Sequence, residues 1–338
     1  APFVELEWGH KAYQLMKHIK LALDPKGILN PGVILNDDSQ IHLKNLKVLP
    51  VADPVIDHCI ECGFCEPSCP SQNLTLTPRQ RISSWREIQR LHALEEKSPA
   101  DISTLKSYER DYHYAGTDTC AACGLCELHC PVNINTGDLT RSLRSVNNRK
   151  WKPVAGFTAK HFGVITKLAR NTLIATDRVA SALGRDRFAS AANMAHRASA
   201  KTIPQWNASI INNSSPIRLE ENKQPATGLQ QVVYLPACPG RLFDNDLSQA
   251  TLQLLQQSGW QVLSPSQPDN LCCGMPYSSK GFPDIARDKG MELTAELIGL
   301  SDQGRLPIIC DASPCSQQLK ELKHHKLTIL DIPDFIHD

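Results

Sequence analysis

The chain has 338 residues, enough for two or three domains of ordinary size. Its 36 Lys and Arg residues balance 35 Asp and Glu residues for a net charge of +1, and without a long basic run there is no electrostatic case for nucleic acid or an anionic membrane surface. No stretch approaches about 18 uninterrupted apolar residues, which excludes an ordinary membrane-spanning helix and leaves a cytoplasmic location as the expectation, with peripheral attachment at the inner face of a membrane left open.

Residues 10–24 carry Ala12, Leu15, Met16, Ile19, Ala22 and Leu23 at helical spacing, an apolar stripe that needs covering. Pro25 and Gly27 stop that helix. Glu7-Trp8-Gly9, followed by Asp24-Pro25-Lys26-Gly27-Ile28-Leu29-Asn30-Pro31-Gly32, resembles the closing segment of FAD-linked oxidases of the D-lactate and D-2-hydroxyglutarate dehydrogenase type. The resemblance implies that residues 1–35 are the tail of an FAD-linked oxidase domain. The FAD itself would then bind upstream or on a separate subunit, and the chain reads as a C-terminal piece. An amphipathic helix and turn with no flavin history is the alternative. Residues 36–57, punctuated by Asn36-Asp37-Asp38-Ser39, Pro50 and Pro54, read as a linker.

Cys59, Cys62, Cys65 and Cys69, closed by Pro70, return as Cys120, Cys123, Cys126 and Cys130, closed by Pro131. Both runs read C-x2-C-x2-C-x3-C-P, the spacing by which bacterial two-cluster ferredoxins hold [4Fe–4S] cubanes, the fourth cysteine reaching to the other cluster. Eight thiolates in this pattern predict two clusters. Structural zinc sites take pairs of C-x2-4-C ligands with a longer gap, and a disulfide framework does not fit 13 cysteines in a chain of this length. Ile60, Phe64, Leu125, Val132 and Ile134 are expected to shelter the clusters, and His58 and His129 read as flanking groups rather than ligands.

Thr77-Pro78-Arg79-Gln80 has the form of a capped helix start, with Ile82, Trp85, Ile88 and Leu91 on one face behind it. Asn135 or Thr136 caps a later helix carrying Leu139, Leu143 and Val146. Fifty residues separate Cys69 from Cys120, far more than in small β-rich ferredoxins. Such a helical insert resembles the helical ferredoxin module in the iron–sulfur subunits of fumarate reductase, anaerobic glycerol-3-phosphate dehydrogenase and heterodisulfide reductase. That resemblance implies that Cys59, Cys62, Cys65 and Cys130 hold one cluster, and Cys69, Cys120, Cys123 and Cys126 the other. From 151 to 206 the pattern stays helical, with Ile165, Leu168, Leu173, Val179 and Leu183 before Gly184, and reads as packing around the clusters. Residues 58–211 would then form the helical ferredoxin-like domain, and 212–230, rich in Ser, Pro and Gly, a second linker.

Beyond residue 230 strands and helices alternate. Strands are expected at 232–235, 260–263, 306–311 and 327–330, with helices bearing Leu247, Thr251, Leu254 and Leu255, then spanning 283–300, then 316–323. Short connections imply a parallel sheet flanked by helices. Cys238, Cys272, Cys273 and Cys315 follow strands, where parallel sheets collect ligands, whereas Cys310 lies inside an apolar strand and reads as a small core residue. The Cys272-Cys273-Gly274 turn is expected to expose its sulfurs.

Leu235-Pro236-Ala237-Cys238-Pro239-Gly240, Cys272-Cys273-Gly274 and Cys315 resemble the cysteine-rich CCG domain of heterodisulfide reductases and of glycolate oxidase and lactate-utilisation iron–sulfur subunits. The resemblance implies that residues 231–338 form an α/β CCG domain, truncated before a second copy, with Cys238, Cys272, Cys273 and Cys315 as a further metal site. Ala312 stands where a closing C-x2-C would place a cysteine, which leaves open an incomplete cluster, zinc or no metal. The whole then resembles the carboxyl part of FAD-dependent D-2-hydroxyacid dehydrogenases. It implies an electron-transfer function, with FAD donating through two [4Fe–4S] clusters to the CCG site or to a quinone or cytochrome. A stand-alone iron–sulfur subunit of a quinone- or heterodisulfide-type reductase, and a non-catalytic metal-binding or redox-sensing protein, are the alternatives. No catalytic residue is assigned. The fold class is multidomain, a mainly α-helical ferredoxin-like part followed by an α/β part.

Overall fold

The computed structural model describes residues 3–44, 50–199, 205–207, 230–243, 246–322 and 327–337. The expected linker at 212–230 lies outside them except for Gln230, which opens the first strand.

Helices α1 (Val4–Trp8) and α2 (His10–Leu23) open the chain. Asp24 ends α2: its carboxylate accepts from the N–H groups of Ile28 and Leu29 and pairs with Lys20. Of the apolar stripe only its neighbour Tyr13 is buried, and Leu15, Ile19 and Leu23 remain exposed.

The helical part continues with α3 (Pro78–Ala93), α4 (Pro99–Tyr112), α5 (Leu125–Leu128) and α6 (Thr136–Asn147). Both long starts are chemically specified. Thr77 N–H donates to Gln80 and Pro78 occupies the first helical position of α3, while Ser98 and Asp101 close a capping box on α4. Helices α3 and α4 bury Ile88, Leu91, Leu105 and Tyr112 between them, and the Tyr112 hydroxyl donates to the Arg81 carbonyl. A π-helical turn at His113–Asp118 then returns the chain to the second cysteine run. A second small core, Ile56, Ile82, Ile134 and Leu139, joins the segment before the first run to that after the second. Asn135, not Thr136, caps α6 by accepting from Gly137 N–H. Val146, expected with Leu139 and Leu143 on one face of α6, is exposed at the end of the helix, two turns beyond buried Leu139.

Helices α7 (Lys152–Lys160), α8 (Phe162–Leu183) and α9 (Arg185–Ala198) do not pack around the cysteine runs as expected. Ala155 and Ala159 of α7 share a core with Cys272, Tyr277, Phe282 and Ala286, and Thr166 of α8 donates to the Asp269 carbonyl. Leu168, Val179 and Leu183 are exposed. Gly163 permits this docking, since a Cβ there would fall on the Asn270 side chain.

The α/β part contains β1 (Gln230–Leu235), α10 (Cys238–Phe243), α11 (Asp246–Gln257), β2 (Trp260–Leu263), α12 (Met275–Ser279), α13 (Pro283–Leu300), β3 (Ile308–Cys310), α14 (Ser313–Glu321), β4 (Ile329–Asp331) and α15 (Ile332–His337). All pairings are parallel, in the order β2-β1-β3-β4, with Val233 opposite both Leu263 and Ile308. One face of the sheet packs Val233, Leu235, Ile308 and Cys310 against Leu293 and Leu297 of α13. The other packs Val232, Tyr234 and Ile309 on Leu255 of α11.

Candidate metal centres

The two cysteine runs adopt one backbone solution. Glu61 and Ala122 are left-handed at φ 58° and 51°, and Gly63 and Gly124 follow at 86° and 77°. The glycines take this conformation without strain; Glu61 and Ala122 require it to turn their N–H groups onto the first cysteine. Glu61 N–H donates to Cys59 Sγ and Ala122 N–H to Cys120 Sγ, each at 3.4 Å. Amide groups aimed at sulfur are what a thiolate ligand to iron requires.

A second device repeats beneath them. Arg86 of α3 donates to the carbonyls of Ile56, Asp57 and Cys59, and Arg144 of α6 to those of Thr117, Asp118 and Cys120. Each guanidinium thus pins the same three positions relative to the first cysteine of its run. A buried arginine in a helix reads as an ordinary charged surface residue in a sequence. The signal that could have found these two is their equal distance from the caps Thr77 and Asn135.

Two cavities gather the cysteines. One is lined by Cys59, Cys62, Cys65 and Cys130, together with Arg79, Ile82 and Ile134. The other is lined by Cys69, Cys120, Cys123 and Cys126, with Pro78, Arg81 and Gly137. Cys62 and Cys123 are exposed, Cys126 is buried and the rest are half-buried. Burial pushes the Cys65 thiol up to about 11 and raises Cys59 and Cys126, so metal entry must displace protons. Among the described residues no three His, Cys, Asp or Glu side chains close on one point tightly enough for a single ion. Four thiols set around the rim of each cavity, with N–H groups directed at sulfur, suit a cubane better than a lone zinc ion. Of the expected shelter, Ile134 is buried and Val132 half-buried, but Ile60, Phe64 and Leu125 are exposed. His58 stands outside the cavities and hydrogen-bonds the Val132 carbonyl, while His129 is exposed.

The α/β part assembles a different centre. Cys238 begins α10, Cys272 and Cys273 precede α12, and Cys315 lies in the first turn of α14. Their sulfurs lie near enough to shift one another's ionisation, Cys238 with Cys272, Cys272 with Cys273, and Cys273 with Cys315, which also feels Cys310. One expectation, that the Cys272-Cys273-Gly274 turn exposes its sulfurs, needs correction here. Cys272 and Cys273 are 1% and 3% exposed, because α7 and α13 cover the turn. Cys310 is core as expected, at 1% exposure, and its sulfur lies near enough to Cys315 to raise that thiol. Gly274 makes the close packing possible: at φ 91° a Cβ would lie 2.2 Å from the Ala286 carbonyl oxygen.

The neighbouring Cys272 and Cys315 thiols hold the Cys273 thiol below its ordinary range. Cys238 is raised by its neighbour Cys272 and by burial, and Cys315 by its neighbours Cys273 and Cys310. Sulfurs gathered in this way, mostly out of water, are a donor set that soft metals or a redox partner would seek. Arg241 points a guanidinium nitrogen at Cys238 Sγ, 3.2 Å away, and pairs with Asp269, which also meets Arg170 of α8.

Residues 55–134 match the model of a 4Fe-4S dicluster domain, and residues 1–34 that of the FAD linked oxidases, C-terminal domain. The chain is similar to one of the subunits of the dihydromethanophenazine:CoB--CoM heterodisulfide reductase of Methanosarcina acetivorans, 33% identical over 115 residues, which cover 31% of this chain and 26% of that protein. It is also similar to the probable glycolate oxidase iron-sulfur subunit of Bacillus subtilis, 23% identical over 285 residues, or 79% of this chain and 59% of that protein. The chain thus spans between a quarter and three fifths of the curated relatives it matches. No solved structure matches. Among the described residues no helix is long and apolar enough to cross a membrane. The dicluster match spans both cysteine runs and supports iron–sulfur clusters there, in a chain related to iron–sulfur subunits of oxidoreductases.

Proposed function

We propose that the chain is the electron-transfer part of a flavin-dependent D-2-hydroxyacid dehydrogenase. Cys59, Cys62, Cys65 and Cys130 hold one [4Fe–4S] cluster, and Cys69, Cys120, Cys123 and Cys126 the other. The observation that carries this reading is the pair of cavities, each lined by three cysteines of one run and the last of the other. Bound there, the clusters supply one-electron carriage between a two-electron flavin donor and an acceptor. The chain's own residues fix the thiols, aim amides at sulfur and limit water. FAD belongs to an FAD-linked oxidase domain, in the same chain or a separate subunit, a reading supported by the match at residues 1–34. The α/β part, taken as a CCG domain, offers Cys238, Cys272, Cys273 and Cys315 as a third centre, ahead of a quinone or cytochrome acceptor.

A second reading, an iron–sulfur subunit of a heterodisulfide-type reductase, is favoured by the local 33% identity to a heterodisulfide reductase component. Anaerobic purification with iron, sulfide and EPR analysis tests the first part of either reading: about eight irons and eight sulfides per chain are expected, or about twelve irons if the thiol centre carries a cluster. Zinc without iron overturns both. Activity of the assembled oxidase with a D-2-hydroxyacid, against a thiol–disulfide substrate, separates them.

A further inference from the structure

The two cavities share a backbone but not a charge. At the first, both guanidinium groups are matched by carboxylates: Arg79 pairs with Glu66 at 3.1 Å and Arg86 with Glu61 at 3.0 Å. At the second, the place of Glu61 is taken by Ala122, and Arg144 holds only carbonyls. Arg81, 1% exposed, adds a second cation there. Its guanidinium donates to the Gly116 carbonyl and to Ser71 Oγ, and a third nitrogen stands 3.7 Å from Cys69 Sγ. Among the described residues no carboxylate lies within 4 Å of Arg81 or Arg144. The residue of α6 that corresponds to Arg81, at the offset relating the two caps, is Leu139, packed with Ile56, Ile82 and Ile134.

We infer that Arg81 and Arg144 make the second cavity the electron-accepting end of the pair: the cluster held by Cys69, Cys120, Cys123 and Cys126 is the easier to reduce. The inference rests on the two-cluster reading proposed above. An added electron makes a cluster more negative, and buried cations with no carboxylate in contact, Asp118 acting on Arg144 only from a distance, favour that state more strongly than paired ones do. One electron leaves the first site and one arrives at the second, with no bond or proton changing hands. The direction has a structural continuation. Arg144, while pinning the Cys120 carbonyl, donates its other terminal nitrogen to the Ser279 carbonyl of the α/β part, 2.5 Å away. Asn148 does the same to Lys280. The cation-rich site is therefore the one tied to the buried thiol centre.

Anaerobic potentiometric titration of the whole iron-loaded chain, read by EPR, tests this. Two one-electron steps are expected. Arg81→Met should move the upper step to lower potential and leave the lower step in place, whereas Arg81→Lys should keep the upper step near its original position. Glu61→Gln, which keeps a hydrogen-bonding group beside Arg86 but removes its counter-charge, should move the lower step upward and narrow the gap. Iron and sulfide are measured on every sample. A wild-type chain without about eight irons fails the two-cluster reading itself. Full cluster content with Arg81→Met shifting the lower step, both steps equally, or neither, overturns the inference alone. Should Arg81→Met fail to hold both clusters, Glu61→Gln decides: an unmoved or lowered lower step overturns it.

Discussion

The chain builds cysteine sites in two contrasting ways. In the helical part most of the thiols sit on loops at the margin of the cores, Cys59 and Cys130 against Ile56 and Ile134, and what orders those loops is polar: amides turned toward sulfur and arginines inserted under three carbonyls each. In the α/β part three of the five cysteines belong to the cores themselves, with Cys273 and Cys310 against Leu293 and Leu297 and Cys272 against Tyr277. The first design sets its thiols around two cavities, so that a group bound there would cross-link the loops. The second folds around sulfur that is already packed. A sheet with a continuous apolar interior needs no metal for its stability, whereas loops that enclose a cluster lose, on its removal, the cross-links that relate one run to the other.

Metal removal should therefore separate the two parts most sharply. Stripping iron with ferricyanide and chelator is expected to raise hydrogen exchange across residues 50–147 by orders of magnitude, while residues 230–337 keep their protection. In the same sample Cys62 and Cys123 should alkylate on mixing, and Cys272, Cys273 and Cys310 only on global unfolding. Equal loss of protection in both parts would erase the contrast.

The arginine pins come next in size. Arg144→Leu keeps the apolar stem but leaves three carbonyls at the second run, and the Ser279 carbonyl, without their donor. The expected cost is on the order of 3 kcal/mol or more, since buried acceptors lose charged partners. Reconstitution of the stripped variant should restore less than the full iron content, with the first-cavity cluster retained. Retention of both clusters at wild-type stability would show that the metal, not the pin, orders the loop.

Much of this was legible in the chain itself, for reasons that differ by element. Helix α13 begins at Pro283 and ends at Leu300 as expected, since a proline start and an unbroken pattern leave little choice. Strands β1 and β2 announced themselves as apolar runs between turn residues. The cysteine spacing pointed to clusters because few chemistries need four thiols so close together. Less legible was which side each helix buries. Leu168, Val179 and Leu183 lie on a regular stripe yet face solvent, because what a helix covers depends on a partner distant in sequence. The burial of Cys272 and Cys273 depends likewise on α7 and α13. Arg81, Arg86 and Arg144 were invisible because charge is read as surface until a structure supplies the carbonyls.

One contact in the joint between the two parts depends on a glycine. Gly281 has φ 86°, and a Cβ there would stand 2.3 Å from Ser145 N and 2.5 Å from Arg144 C, on the backbone of α6. Gly281→Ala combines a left-handed alanine with a backbone clash, costing about 2–4 kcal/mol. The sheet should stay folded, since its core lies elsewhere. The change should appear as faster exchange at the end of α6 and the start of α13, and as slower electron delivery to any acceptor on the α/β side. Unchanged exchange at both would mean the two parts are joined mainly through α7 and α8.

The smallest effect is at the cap of α3, where local and site chemistry meet. The Thr77 hydroxyl donates to Glu66, a carboxylate that also holds Arg79 beside the first cavity. Thr77→Ala should cost about 1 kcal/mol, as cap losses do. Part of that cost should depend on pH. Thr77, and then Arg79, hold the Glu66 carboxyl below the usual carboxylate range, so its folded form binds a proton less readily than its unfolded form. Stability from such a group is complete above its unfolded pKa, about 4.3, and is lost as pH falls through the folded value. The wild-type advantage over Thr77→Ala should thus be constant near neutrality and shrink as pH drops from about 5 toward 3. Asn135→Ala, which removes the matching cap of α6 with no carboxylate bonded to it, should cost a similar amount with no such slope. Denaturant melts of both variants at pH 7 and pH 4 read the difference directly, and parallel behaviour of the two would place the whole Thr77 effect in the helix start rather than at the site.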